Sequence, residues 1–263
     1  MAKTALLIGI NYKGSKMELK GCINDVLELE KVLKKRGFAC KVITDDTVIK
    51  PTCAVIKSEL LRLVTEAKEG DILYFGYSGH GSTLPDPTKQ EDLDSVYVPI
   101  DYATGGIIRD TFVFNEICKK VPKGVTMFSI NDACHSSSIL DLKCTAKSQC
   151  KRTSGTDKKY IPAEWSEKYI FTINKSQELN TSIIALSASA DSEKAKDCMF
   201  NGVANGAFTK CLLETLAFKP DITVLELLTQ VNARLDLYGF TSQDSQLSLS
   251  NLGIVNTKFL EKA

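Results

Sequence analysis

Two side chains in this sequence could together do nucleophilic chemistry: Cys134, in INDACHSSS, and His80, in YSGHGS. A thiol becomes a strong nucleophile when an imidazole nearby takes its proton or pairs with it as a thiolate. The chain has 2 histidines, and the other, His135, directly follows Cys134. Adjacent side chains of an extended chain point to opposite sides, so His80 is the better partner. Gly79 and Gly81 flank it and let the backbone turn sharply, leaving the ring and the neighbouring amides open to a ligand. Taken singly, either feature is weak, because strand-end cysteines are commonly packing residues and a histidine between glycines can be a simple turn.

Both residues stand just past apolar runs of strand length, DILYFGYS (71–78) and VTMFSIND (125–132). Further runs at 4–10, 40–44, 181–189 and 246–252 alternate with helical patterns at 22–36, 53–67, 112–121, 207–217 and 223–235. Such alternation means an α/β fold: a mostly parallel, six-stranded central sheet flanked by helices on both faces. In an open sheet of that kind ligands and catalytic groups collect at the carboxyl ends of the strands, where His80 and Cys134 fall. From Asp141 to Thr181 the apolar period breaks, and LKCTAKSQCKRTSGTDKKY (142–160) reads as a basic loop or linker.

Composition narrows the class. The chain has 263 residues, 43% hydrophobic and 25% charged, with 33 Lys plus Arg against 32 Asp plus Glu. That balance gives no electrostatic case for nucleic acid or an anionic membrane as partner. No run approaches the ~20 apolar residues of a membrane span, and the opening apolar run is too short for a signal-peptide core. Nine scattered cysteines without a CxxC pair suit reduced thiols, and a soluble, cytoplasmic protein is the expectation.

YFGYSGHG (74–81) followed by DACHSSSILDL (132–142) resembles the metacaspases, the caspase-like cysteine peptidases of clan CD. Further matches run in order through ALLIGINY (5–12), LKGCINDV (19–26), VYVPIDY (96–102), NGAFTKCLLETL (205–216) and SQLSLS (245–250), covering nearly the whole chain. The resemblance implies the caspase-hemoglobinase fold in a single domain, 1–263. A large-subunit-like part (1–141), the basic linker (142–180) and a small-subunit-like part (181–263) would follow one another. It implies a monomer, and because the chain starts shortly before its first strand, a form without an N-terminal prodomain.

The resemblance also assigns roles. Cys134 would be nucleophile and His80 base, with no third triad member, and the backbone amides of Gly81 and Cys134 would hold the oxyanion. Arg or Lys before the scissile bond would sit in an acidic pocket matched by Asp132, Asp25, Cys22 and Ser78. Charge supports Asp132 and Asp25 independently, since paired carboxylates beside the thiol suit a guanidinium or ammonium. The plainer reading of Asp25 is a favourable charge in the first turn of a helix. A cutter after Asp is disfavoured by like charge, and a catalytically silent scaffold binding basic peptides would need neither His80 nor Cys134.

Family members bind calcium through aspartates, and Asp94, Asp110 and Asp141 match those positions. Where a paired Asp-Asp is common, this chain has Arg109-Asp110, which removes an oxygen ligand and adds a positive charge. Two outcomes stay open: waters and backbone carbonyls complete a calcium shell, or Arg109 pairs with Asp94 or Asp141 in the ion's place. No organic cofactor is expected. Ala133 replaces the usual Cys or Ser, and Ser137 the usual Gly. The linker's Lys143, Lys147, Lys151, Arg152, Lys158 and Lys159 are of the type the pocket would accept, so self-cleavage there is the expected regulation.

Overall fold

The computed structural model describes residues 1–85, 93–134, 139–148, 169–174, 179–189, 197–200 and 202–263. In chain order the elements are β1 (Lys3–Gly9), α1 (Cys22–Lys35), β2 (Ala39–Thr44), α2 (Cys53–Thr65), β3 (Ile72–Ser78), β4 (Gly81–Pro85) and β5 (Leu93–Tyr97). There follow α3 (Tyr102–Gly105), β6 (Ile108–Arg109), α4 (Asp110–Phe112), β7 (Thr126–Asp132), β8 (Cys144–Ser148), β9 (Tyr169–Ile173) and β10 (Ser182–Ser187). The chain ends with β11 (Asp197–Phe200), β12 (Val203–Gly206), α5 (Ala207–Phe218), α6 (Val224–Leu237) and β13 (Gln246–Leu249).

The main sheet has the order β2-β1-β3-β7-β10-β13-β8-β9. The first five strands run parallel, as the buried apolar runs require, and the last three are antiparallel. Alternation along β1 divides the core: Ala5 and Leu7 pack with α1, α5 and α6, while Leu6 and Ile8 pack with α2 and the helical turns after Asp110. Helices therefore cover both faces. A second sheet, β4-β5-β6, is antiparallel and grows directly from the end of β3.

Two expectations are corrected. The sheet has eight strands instead of six, because the stretch read as a linker supplies β8 and β9. In β8, Cys144 and Ala146 are buried while Lys147 is exposed, a two-residue alternation too short and too basic to stand out in the sequence. The helix expected at 112–121 is a composite: α4 continues into a π turn (Val113–Ile117) and a 3₁₀ turn (Cys118–Lys120). The eight cysteines among the described residues are all free thiols. Among the described residues no helix is long and apolar enough to cross a membrane.

Candidate active site

The parallel pairing of β3 with β7 sets the geometry. Ser78 lies opposite Asp132, and Gly79 N–H donates to the Asp132 carbonyl at 3.2 Å, carrying the pairing one residue beyond the strand. His80 and Cys134 each stand two residues past that matched pair, so both come to the same rim. The backbones there are in tight contact. A Cβ on Gly81 would lie 2.1 Å from the Cys134 carbonyl oxygen and 3.3 Å from Ala133 Cβ, so only glycine lets β4 leave the rim this close to the thiol. Cys134 and His80 are both half-buried. His135 and Ser137 lie outside the described residues.

His80 is held at three points. Its N–H donates to Tyr12 Oη at 2.9 Å, and its carbonyl accepts from Tyr77 Oη at 2.9 Å and from Val98 N–H at 3.2 Å. Its Nε2 is 2.7 Å from the Met17 carbonyl oxygen. A carbonyl can only accept, so Nε2 carries the ring proton and Nδ1 is the basic nitrogen. The Tyr12 ring lies 4.7 Å from the imidazole, centroid to centroid, and Tyr12 takes a left-handed φ of 52° to bring it there. Burial pushes the Tyr12 and Tyr77 phenols up, so they act as neutral hydroxyls.

The Met17 carbonyl orients the His80 ring. A main-chain oxygen leaves no mark on residue type, which is why sequence reasoning missed it. Tyr12 did leave a signal, in ALLIGINY, but its role could not be read without the fold.

Beside the rim, two carboxylates converge. Asp25, on α1, is 0% exposed and accepts from Ser78 Oγ at 2.8 Å, Asn205 Nδ2 at 3.2 Å and Gly206 N–H at 3.0 Å. It stands in the first turn of α1, where its charge is favourable, and its side-chain partners are on β3 and β12. Asp132 accepts from Thr209 N–H at 2.9 Å and Thr209 Oγ1 at 2.7 Å, at the start of α5. A Cβ on Gly206 would fall 2.2 Å from Asp132 Oδ2 and 2.9 Å from Asp25 Oδ2, which puts both carboxylates around one glycine. Burial, then the charge of Asp132, raises the Asp25 pKa well above the ordinary carboxylate value. Cys22 is buried at the first position of α1. Asn205, Gly206 and Thr209 lie within NGAFTKC, and their contact with the carboxylates closes over more than seventy residues of chain, out of reach of a sequence pattern.

Two of the three aspartates matched to calcium are engaged by protein groups. Arg109 Nη1 pairs with Asp94 Oδ2 at 2.6 Å, and both Asp110 oxygens are engaged by backbone, Oδ2 by Ser95 N–H at 2.8 Å and Oδ1 by Thr111 N–H at 2.5 Å. Burial, with the charges of Asp94 and Asp141 adding, pushes Asp110 up to about 6. Asp141 is exposed, with a left-handed φ of 44°. Among the described residues no group of three or more His, Cys, Asp or Glu side chains could hold a metal ion.

Comparison with known proteins settles the family. Residues 3–143 match the metacaspase peptidase C14 domain. The chain belongs to the metacaspase family. It is 31% identical to Metacaspase-1 of Candida albicans, an alignment spanning 98% of this chain and 67% of that one. With Metacaspase-6 of Arabidopsis thaliana it shares 40% identity over 70% of its own length, and it spans only 52% of that protein. A crystal structure of a Geobacter sulfurreducens protein has the same fold: TM-score 0.71 at 18% identity, covering 100% of this chain and 99% of the other. The metacaspase fold seen here is thus the caspase-like α/β architecture expected from the sequence, with a larger sheet.

Proposed function

We propose that this metacaspase is a cysteine endopeptidase that cuts after Arg or Lys, using Cys134 as nucleophile and His80 as base. The observation that carries the reading is the register of β3 and β7. It pairs Ser78 with Asp132, and His80 and Cys134 each follow two residues later along the chain, which supports their acting together.

With Nε2–H committed to Met17, His80 Nδ1 takes the thiol proton of Cys134. The thiolate sulfur bonds to the scissile carbonyl carbon, and the carbonyl electron pair moves to oxygen, where the Gly81 and Cys134 amides receive it. Collapse breaks the C–N bond, and the histidine proton passes to the departing amine. Water, deprotonated by Nδ1, then cleaves the thioester and frees the thiol. The buried carboxylates of Asp25 and Asp132, with Ser78 and Cys22 as walls, form the acidic hollow for the residue before the cut. A short fluorogenic peptide with Arg before the reporter tests the specificity. Rapid turnover is expected, and preference for the same peptide with Asp there would overturn it.

Gly81 yields a separate expectation. Gly81→Ala forces the Cys134 carbonyl or the start of β4 to move, because the added Cβ would sit 2.1 Å from that oxygen. Displacing one oxyanion donor costs about 10²–10³ in kcat. The variant should show that loss in kinetics while Cys134 still reacts with iodoacetamide, and an unchanged kcat would remove Gly81 from the oxyanion site.

Self-cleavage is retained as part of the proposal but narrowed. Lys147 sits in β8, paired on both sides by β13 and β9, where no extended substrate strand can enter a peptidase cleft. Lys143, just before β8, remains a candidate, as do Lys151, Arg152, Lys158 and Lys159, which lie outside the described residues.

A further inference from the structure

We propose that Arg109 is a built-in cation: its guanidinium supplies the positive charge at Asp94, one of the positions matched to calcium, and holds the small sheet next to His80 without the ion. The geometry of that sheet is the argument. Arg109 lies opposite Val96, and Asp94 is two residues from Val96 along β5, on the same face and within diagonal reach of a long side chain. Arg109 Nη1 meets Asp94 Oδ2 at 2.6 Å and also donates to the Pro85 carbonyl at 3.2 Å. One guanidinium on β6 therefore ties down β5 through a carboxylate and the far end of β4 through a carbonyl.

Asp94 is 4% exposed, and a carboxylate so deeply buried must be paired. Calcium would ask for six to eight oxygens at about 2.3–2.6 Å. At Asp94 the nearest coordination position is filled by nitrogen, and at Asp110 both oxygens already serve backbone N–H groups. A dication brought there would meet the guanidinium as a like charge in a place of low dielectric. The consequence reaches the proposed catalytic rim because β4 begins at Gly81, one residue after His80. What an ion would do by drawing these strands together, Arg109 does permanently.

The inference concerns the proposed peptidase, but calcium binding can be read without activity, so the two can fail separately. Wild type, Arg109→Asp and Arg109→Lys would each be freed of metal with EGTA and titrated with calcium chloride. The melting midpoint and the hydrolysis of an Arg peptide would both be followed. Wild type should show no shift in midpoint, and rates with and without calcium that agree within about twofold. Arg109→Asp should melt earlier in EGTA, run about a hundredfold slower there, and recover both properties with calcium. Arg109→Lys, which keeps the charge, should stay indifferent to calcium. A wild-type midpoint or rate that climbs with calcium overturns the proposal, and so does Arg109→Asp working at wild-type speed in EGTA. If Arg109→Asp does not fold in EGTA, its folding on addition of calcium supports the proposal, and failure to fold in both conditions while wild type responds to calcium refutes it. If it fails in both and wild type ignores calcium, Arg109→Gln decides, a calcium-insensitive, fully active Gln variant being the refuting result.

Discussion

Cys134→Ala is expected to lose Arg-peptide hydrolysis by about 10⁴-fold or more, and His80→Ala by a comparable factor. The double variant should be hardly worse than either single one, since nucleophile and base act as a unit and what remains comes from binding and the oxyanion amides. The same pair of proteins reports on self-cleavage. Mass spectrometry should find the active chain cut after Lys143 or after a basic residue between 149 and 168, and the Cys134→Ala chain whole. Hydrolysis that survives removal of the sulfur would show that another nucleophile does the work. The expectation is specific to these two positions because the register of β3 and β7 carries His80 and Cys134 to one rim, with Gly81 wedged against the cysteine's carbonyl.

The second large effect belongs to the acidic hollow proposed around Asp25 and Asp132. Removing one partner of a buried charged interaction costs about 3–5 kcal/mol, so Asp25→Asn or Asp132→Asn should lower kcat/KM for Arg peptides by about a hundredfold or more. A peptide with a neutral residue before the reporter should feel little of this, and equal losses on both peptides would mark the carboxylates as purely structural. A pH profile gives an independent reading. Burial and Asp132 raise the Asp25 pKa, so in the free enzyme this carboxyl protonates above the usual carboxylate range. A bound cation favours the ionised form, and binding must expel the proton when the pH lies below that raised value. Arg-peptide kcat/KM should therefore fall on acidification earlier than an ordinary aspartate would cause, and Asp25→Asn should remove that limb. The stability linkage has a definite sign. A carboxyl with a raised folded pKa contributes most when protonated, at low pH, and that contribution is lost as pH rises from the unfolded toward the folded value. The unliganded protein should therefore lose melting temperature as pH rises through that raised value, and Asp25→Asn should flatten this dependence.

Much of this architecture was legible from residue patterns because the parallel strands are buried on both faces. TALLIGI, DILYFGYS and VTMFSIND are near-continuous apolar runs, and only a central strand bears such a run. His80 and Cys134 stood out because rare reactive residues sat at the carboxyl ends of those runs between small neighbours. β8 and β9 were hidden for the opposite reason. They lie toward one margin of the sheet, β8 alternates with lysine, and β9 leaves Ile170, Phe171 and Ile173 exposed, so neither shows a buried run. Arg109 could be flagged in sequence as a misfit, yet whether Asp94 or Asp141 would receive it depended on the pairing of β5 with β6. The clamp on His80 combines a phenol from the first loop, another from its own strand and a peptide oxygen at Met17, and such a combination exists only once the chain has folded.

The level pairing of Ser78 with Asp132 turns two neighbouring strands into a measuring gauge. Ser78 and Asp132, proposed to read charge, and His80 and Cys134, proposed to break the bond, stand two residues apart along each of the two chain segments. The pairing behind that interval is held by main-chain hydrogen bonds in the middle of the sheet. Divergence in the surrounding loops can alter how substrates arrive, while this pairing keeps the proposed recognition and cleavage groups in register.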